Sequence, residues 1–179
     1  CLDAETPRDL KPWAASWLET SQHNTVTANI VDDTESSTSI LVSQSAPDSH
    51  PLLREHALEL AIGYLDDDEV TIDTIDYSIS THEHQISLDK TTPSFVFPNY
   101  DDHGFLKAGL DSTTLDFMRH HLEKVNEPLL RMQIWQSLWE MVRDQQLSSI
   151  DYINIASNKV LAEDDLSLIH ISEPTRPLY

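Results

Sequence analysis

The apolar pattern of this chain changes period between Ser94 and Asp111, and that switch limits its fold more than any other feature. Before it, apolar residues mostly recur at every second position; after it, they recur at every third or fourth. A strand turns successive side chains to opposite faces, whereas a helix brings positions three and four apart onto one stripe. The chain therefore reads as a sheet-forming part followed by helices, an α+β organisation. Within the switch, Phe95-Val96-Phe97 and Phe105 to Leu110 flank a polar Pro98 to Gly104 segment, which reads as strand, tight connection, strand. Asp111 or Ser112 then opens a helix.

Ahead of the switch, Asn24 to Val31, Ser39 to Gln44, Glu55 to Leu65, Val70 to Ser80 and Gln85 to Leu88 read as successive strands. The third is the clearest, with Leu58, Leu60, Ile62 and Tyr64 alternating with Ala57, Glu59, Ala61 and Gly63. Leu58 to Ala61 also suits a helix by propensity, but β-rich, turn-bounded segments lie on both sides. Asp66-Asp67-Asp68-Glu69 joins two strands as a hairpin. With the two runs inside the switch this gives about seven short strands, at the spacing of an antiparallel β-sandwich.

A short helix over Asp9 to Thr20 precedes the strands, with Asp9 as its cap, Pro12 in the first turn, and Trp13 and Trp17 at i, i+4. Two tryptophans on one stripe suit a ligand platform or packing, and packing is the commoner use. Three amphipathic helices follow the switch. Thr113 to Val125 carries Leu115, Met118 and Leu122 on one stripe. Pro128 to Arg143 starts with proline at its first position and carries Leu130, Ile134, Leu138, Met141 and Val142, a face that Trp135 and Trp139 widen. Ser148 and Asp151 form a Ser-x-x-Asp start to Ile150 through Val160.

The chain carries 31 acidic against 11 basic residues, a formal charge of −20. That surface repels nucleic-acid phosphates and anionic lipid, so neither is an expected partner. No apolar run approaches the roughly 18 residues that cross a bilayer, and the start is not of the basic-then-apolar signal type. One cysteine, Cys1, allows no internal disulfide framework and no cysteine-based zinc knuckle. With no Asn-x-Ser/Thr acceptor either, the cytoplasm is the default compartment. The opening Cys1-Leu2-Asp3, without an initiator methionine, points to a truncated reading frame.

Several clusters invite a chemical reading. His82 and His84 would share one face of a strand and one metal, but a zincin needs H-E-x-x-H on a helix and no third ligand is evident, so a polar hairpin tip is expected. Asp66 to Glu69 lacks the glycine and closing glutamate of a calcium loop. Asp101-Asp102-His103-Gly104 falls in a turn, where such residues belong anyway. His120 and His121 are adjacent on a helix and face different ways. Nucleophile elbows, phosphate-cradling loops and dinucleotide fingerprints are missing from a chain with only three glycines. The expected catalytic, cofactor-binding and metal-binding sets are all empty.

Leu166 to Arg176 back-translates, codon for codon, into a transposase-type sequencing adapter. Leu166 to Tyr179 is therefore set aside as a tail that is not part of the fold, and His170 with it. The natural gene is expected to continue differently after about Asp165.

The remaining stretches resemble the aminopeptidase N family of zinc metallopeptidases in its bacterial cytoplasmic form. The likeness runs through Arg8-Asp9-Leu10, Trp13, Trp17-Leu18-Glu19-Thr20, Asn24-Thr25-Val26, Leu53-Arg54-Glu55-His56 and Ile62-Gly63-Tyr64. It continues in Pro93, Val96-Phe97-Pro98-Asn99-Tyr100-Asp101-Asp102, Phe105 and Leu110-Asp111, then in Leu130, Trp135, Leu138 to Asp144 and Leu147-Ser148. The resemblance implies that residues 1–20 close a thermolysin-like catalytic domain, residues 21–111 form the β-sandwich after it, and residues 112–165 begin a large helical domain. It also implies that zinc, the H-E-x-x-H glutamate, the amine-binding Gly-x-Met-Glu-Asn segment and the catalytic tyrosine lie upstream, since no position here matches them. Many relatives carry a glycine where this chain has Gln22 or His23.

The expected function is thus a non-catalytic fragment of a zinc enzyme that removes N-terminal residues from peptides. Its expected partners are the missing catalytic domain and the rest of the helical domain. The alternative is a free-standing β-sandwich interaction module.

Overall fold

The computed structural model describes residues 9–34, 37–89 and 92–159. Cys1 and the adapter-like Leu166 to Tyr179, with His170, lie outside the described residues. In chain order the elements are α1 (Lys11–Leu18), β1 (Thr25–Thr34), β2 (Ser37–Ser45), β3 (His56–Asp66), β4 (Glu69–Ile79), β5 (Glu83–Leu88), β6 (Phe95–Phe97), β7 (Lys107–Leu110), α2 (Ser112–His121), α3 (Pro128–Arg143) and α4 (Ser149–Lys159). Short 3₁₀ turns occupy Tyr100–Asp102 and Leu122–Lys124. The strands anticipated from the alternating pattern are all present, and the helices follow them.

The strands form two sheets, in the orders β5-β2-β1-β7 and β4-β3-β6. Pairing is antiparallel except between β1 and β7, which run parallel from Thr25 opposite Lys107 to Ala28 opposite Leu110. The segment from Phe95 to Leu110 is therefore no hairpin: β6 pairs with β3, β7 pairs with β1, and the Pro98–Gly104 connection carries the chain from one sheet to the other. Asn99 closes that connection, accepting from the Gly104 N–H at 2.8 Å and donating to the Gly104 carbonyl at 3.0 Å. Phe105 stays outside β7 and is exposed.

β3 explains how the two halves of the chain join. Its Leu58, Leu60 and Ile62 meet Val26, Ala28, Ile40 and Val42 of the other sheet in one buried cluster, with Tyr77, Ile79 and Val96. Ala61, on the opposite face of the same strand, joins Phe95 and Phe97 in a second cluster with Phe117, Met118, Leu122, Leu130, Ile134 and Leu138 of the helical part. Only Leu60 to Gly63 is buried on both faces, and there the apolar run is unbroken; toward the start of the strand Ala57 is exposed and Glu59 half-buried. Gly63 shares the helix-facing side, and a Cβ there would lie 1.9 Å from Phe95 Cε1, so the ring occupies the space that a side chain would need.

The edge of β6 is finished by a helix. Thr114 of α2 accepts from the Val96 N–H at 3.0 Å and donates to the Val96 carbonyl at 3.3 Å, taking the place of a neighbouring strand. Asp111 caps α2 by accepting from the Thr114 N–H at 2.9 Å, and its other oxygen takes the Ile30 N–H at 3.3 Å, just beyond the end of the β1–β7 pairing. Ser148 accepts from the Asp151 N–H at 3.0 Å, the start anticipated for α4.

Three local expectations are corrected. Leu10, not Asp9, sits at the N-cap of α1; the Asp9 carboxylate reaches only the Lys11 N–H, at 3.1 Å, one position short of a capping contact. The α2 helix ends at His121 and tightens into the Leu122–Lys124 turn before Val125. Trp135 is buried, but Trp139 is 49% exposed, so only one of the two widens the core face.

Candidate functional site

The clusters singled out in the sequence lie apart from one another. His82 precedes β5 and His84 lies within it; both are exposed, and His84 stacks on Tyr77 with ring centres 6.2 Å apart. Asp66 and Glu69 face each other across the β3–β4 hairpin, whose turn residue Asp67 has φ 50°. The Asp68 carboxylate pairs with the Lys124 ammonium, and that hydrogen bond and charge hold its carboxyl below the usual range. His120 donates to the Asp116 carbonyl at 2.8 Å, while His121 packs against the Phe117 ring.

The Asp101–Gly104 turn comes closest to a ligand set. Asp101 and His103 approach Glu59 of β3, and their ligand atoms lie within 4.8 Å of one another. His103 Nε2 is 3.5 Å from Glu59 Oε2. This donor set does not fit a peptidase zinc centre: it has one histidine, in a half-exposed turn, and among the described residues no helix presents paired imidazoles to one side.

Two seams hold polar groups in constrained geometry. In the first, Arg54, only 4% exposed, ties the strands to α1. Its Nε donates to the Ser16 carbonyl at 2.9 Å, and its Nη2 donates to Thr20 Oγ1 at 2.7 Å and to the Ser21 carbonyl at 3.3 Å. The guanidinium carbon lies 5.3 Å from the centre of the Trp17 ring, a cation–π distance. Asn24, fully buried, accepts from the Arg54 N–H and donates to the Leu52 carbonyl, while Gln44 donates to the Arg54 carbonyl at 2.8 Å. His56 packs edge-on to Trp17, and its Nε2 is 3.4 Å from Asn24 Oδ1. Burial, and then the charge of Arg54, lower the His56 pKa, so the ring is held neutral.

The second seam lies between β7 and α3. Lys107 Nζ is 2.8 Å from Asp144 Oδ2 and 3.2 Å from Glu140 Oε2. Burial works against the ammonium there, but the hydrogen bonds and charges of the two carboxylates outweigh it and raise its pKa. Gln133 of α3 donates to the Asn99 carbonyl at 2.7 Å, fixing the sheet-to-sheet connection to the helix. Sequence reasoning assigned no role to Arg54, Asn24, Thr114, Lys107 or Gln133. Their partners are remote in sequence, and the available signal was the rarity of basic residues, 11 in all, which makes each buried cation conspicuous.

Comparison with known proteins bears on what these seams join. A family profile described as "ERAP1-like C-terminal domain" matches residues 95–170, from the first residue of β6 onward. Aminopeptidase N of Streptomyces lividans is 29% identical over 182 residues, taking in 94% of this chain. The chain is thus similar to aminopeptidase N along nearly its whole length. It spans 21% of the length of that aminopeptidase N relative. The aminopeptidase N likeness covers both seams, whereas the ERAP1-like match covers the helical side and the two strands that cross between the sheets. Among the described residues, no helix is long and apolar enough to cross a membrane.

Proposed function

We propose that this chain is a non-catalytic, bracing portion of a larger cytoplasmic zinc aminopeptidase, which removes N-terminal residues from peptides. On this reading residues 1–20 close the catalytic domain, residues 21–111 form a β-sandwich, residues 112–165 begin the helical domain, and residues 166–179 are adapter-derived. The observation that carries it is similarity along 94% of the chain to a protein of which it spans only 21%. The two seams suit a brace: Arg54 locks α1 onto the strands, while Thr114, Lys107 and Gln133 lock the helices onto them. Zinc would supply Lewis-acid activation of water in the parent enzyme, held by residues outside this chain. The free-standing interaction module is the competing reading.

The reading frame around the gene tests the proposal, with an upstream H-E-x-x-H followed by a glutamate as the expected result. The purified chain should not hydrolyse aminoacyl amides, with or without added zinc. Aminopeptidase turnover by this chain alone, or an intact gene that encodes nothing ahead of Cys1, overturns it.

A further inference from the structure

Among the described residues, the well-buried cations of this acid-rich chain have carboxylate partners, with one exception. Lys107 has Glu140 and Asp144, and Lys159 has Glu123 at 2.6 Å. Arg54 is as deeply buried as any, yet among the described residues no carboxylate lies within ion-pair distance of it. Its bonds come from one side of the fork: Nε and Nη2 donate to two carbonyls and a hydroxyl at the C-terminal end of α1. Nη1 has no acceptor among the described residues, and it is not sealed in the interior as a buried orphan. Beside it, the Trp17 indole N–H is buried with no acceptor. A buried guanidinium without a counter-charge is costly, and the hydrogens left on Nη1 are donors that a carboxylate oxygen can take.

The geometry points to Arg54 as a half-built carboxylate clamp, completed through Nη1 by an acidic side chain of the parent enzyme's catalytic domain where that domain packs against α1. Charge complementarity selects the occupant: Nη1 offers only donors, on a cation with no ion-pair partner among the described residues. Exposed Trp13 and Leu18 on the same helix supply apolar surface for the segment that carries the acid. The clamp rests on the brace reading for the origin of that segment, but not for the anion site itself.

Titrating the isotope-labelled 179-residue chain with sodium acetate, against sodium chloride at equal ionic strength, reads the site through two resonances, Arg54 Nε–H and the Trp17 indole N–H. Acetate should move both along one saturable curve, and chloride should not. Arg54→Lys keeps the charge but loses the fork, and should weaken acetate binding at least about tenfold. Trp17→Phe keeps an aromatic face beside the guanidinium and should leave the Arg54 shift saturable. Equal response to both salts, a linear response, or acetate binding unchanged in Arg54→Lys overturns the clamp. An absent upstream peptidase frame overturns the brace reading without touching these shifts.

Discussion

Gln22 has φ 70°, the left-handed region that an L side chain enters only at a cost, and it sits in the turn between α1 and β1. A glycine at this position would adopt that geometry without the steric cost. Gln22→Gly should therefore stabilise the chain by about 0.5–1 kcal/mol, after allowing for the greater freedom of glycine in the unfolded state. The urea midpoint should rise without a change in slope, and a fall would show that the Gln22 side chain makes a compensating contact. His56 gives a second residue-scale expectation. Burial and Arg54 lower its folded pKa, so below about 6.5 the unfolded chain takes up the proton more readily than the folded one. Its contribution is complete above that value and is lost as pH falls toward the lowered folded value. Urea midpoints at about pH 8 and about pH 5.5 should differ more in the parent chain than in His56→Gln, and equal differences would remove His56 as a source of the acid sensitivity.

Elements join here through single polar side chains that complete another element's backbone. Thr114 is the plainest case, being fully buried and bonded to both the N–H and the carbonyl of Val96. Thr114→Val keeps the shape but leaves those two groups without partners, and should cost about 2 kcal/mol. Thr113→Val, one position away and exposed, is the control for helix propensity, and equal losses in the two variants would refute the edge-capping role. Much of this scale was legible in the sequence because its signals are local. Alternation marked the strands, Pro128 marked the start of α3, and Asp111 and Ser148 marked their helices through hydrogen bonds spanning three residues. The partner of each strand was not legible. β6 and β7 sit in different sheets because β3 and β1 lie on opposite sides of one core, a relation set by packing far along the chain. Arg54 went unassigned for the same reason, since its side chain bonds to Ser16, Thr20 and Ser21.

At the scale of the whole molecule, two opposing surfaces govern behaviour in solution. A charge of −20 keeps copies apart, while α3 and α4 leave Trp139 at 49%, Ile150 at 72% and Ile153 at 59% exposure. Trp139 and Tyr152 touch, with ring centres 5.7 Å apart, so the exposed tryptophan borders the seam between the two helices. Apolar side chains exposed on neighbouring helices resemble a bundle missing a member, as the brace reading requires. Charge repulsion acts over a Debye length of about 10 Å at 0.1 M salt and about 3 Å at 1 M, whereas apolar attraction persists as salt rises. The chain should therefore run as a monomer on size exclusion at low salt, associate as salt is raised, and melt broadly. Ile150→Lys with Ile153→Lys should abolish the association without lowering the melting midpoint, because neither side chain is part of a buried cluster. A free-standing module predicts the contrary, a sharp transition and a monodisperse monomer at every salt concentration, and that result would count against the brace.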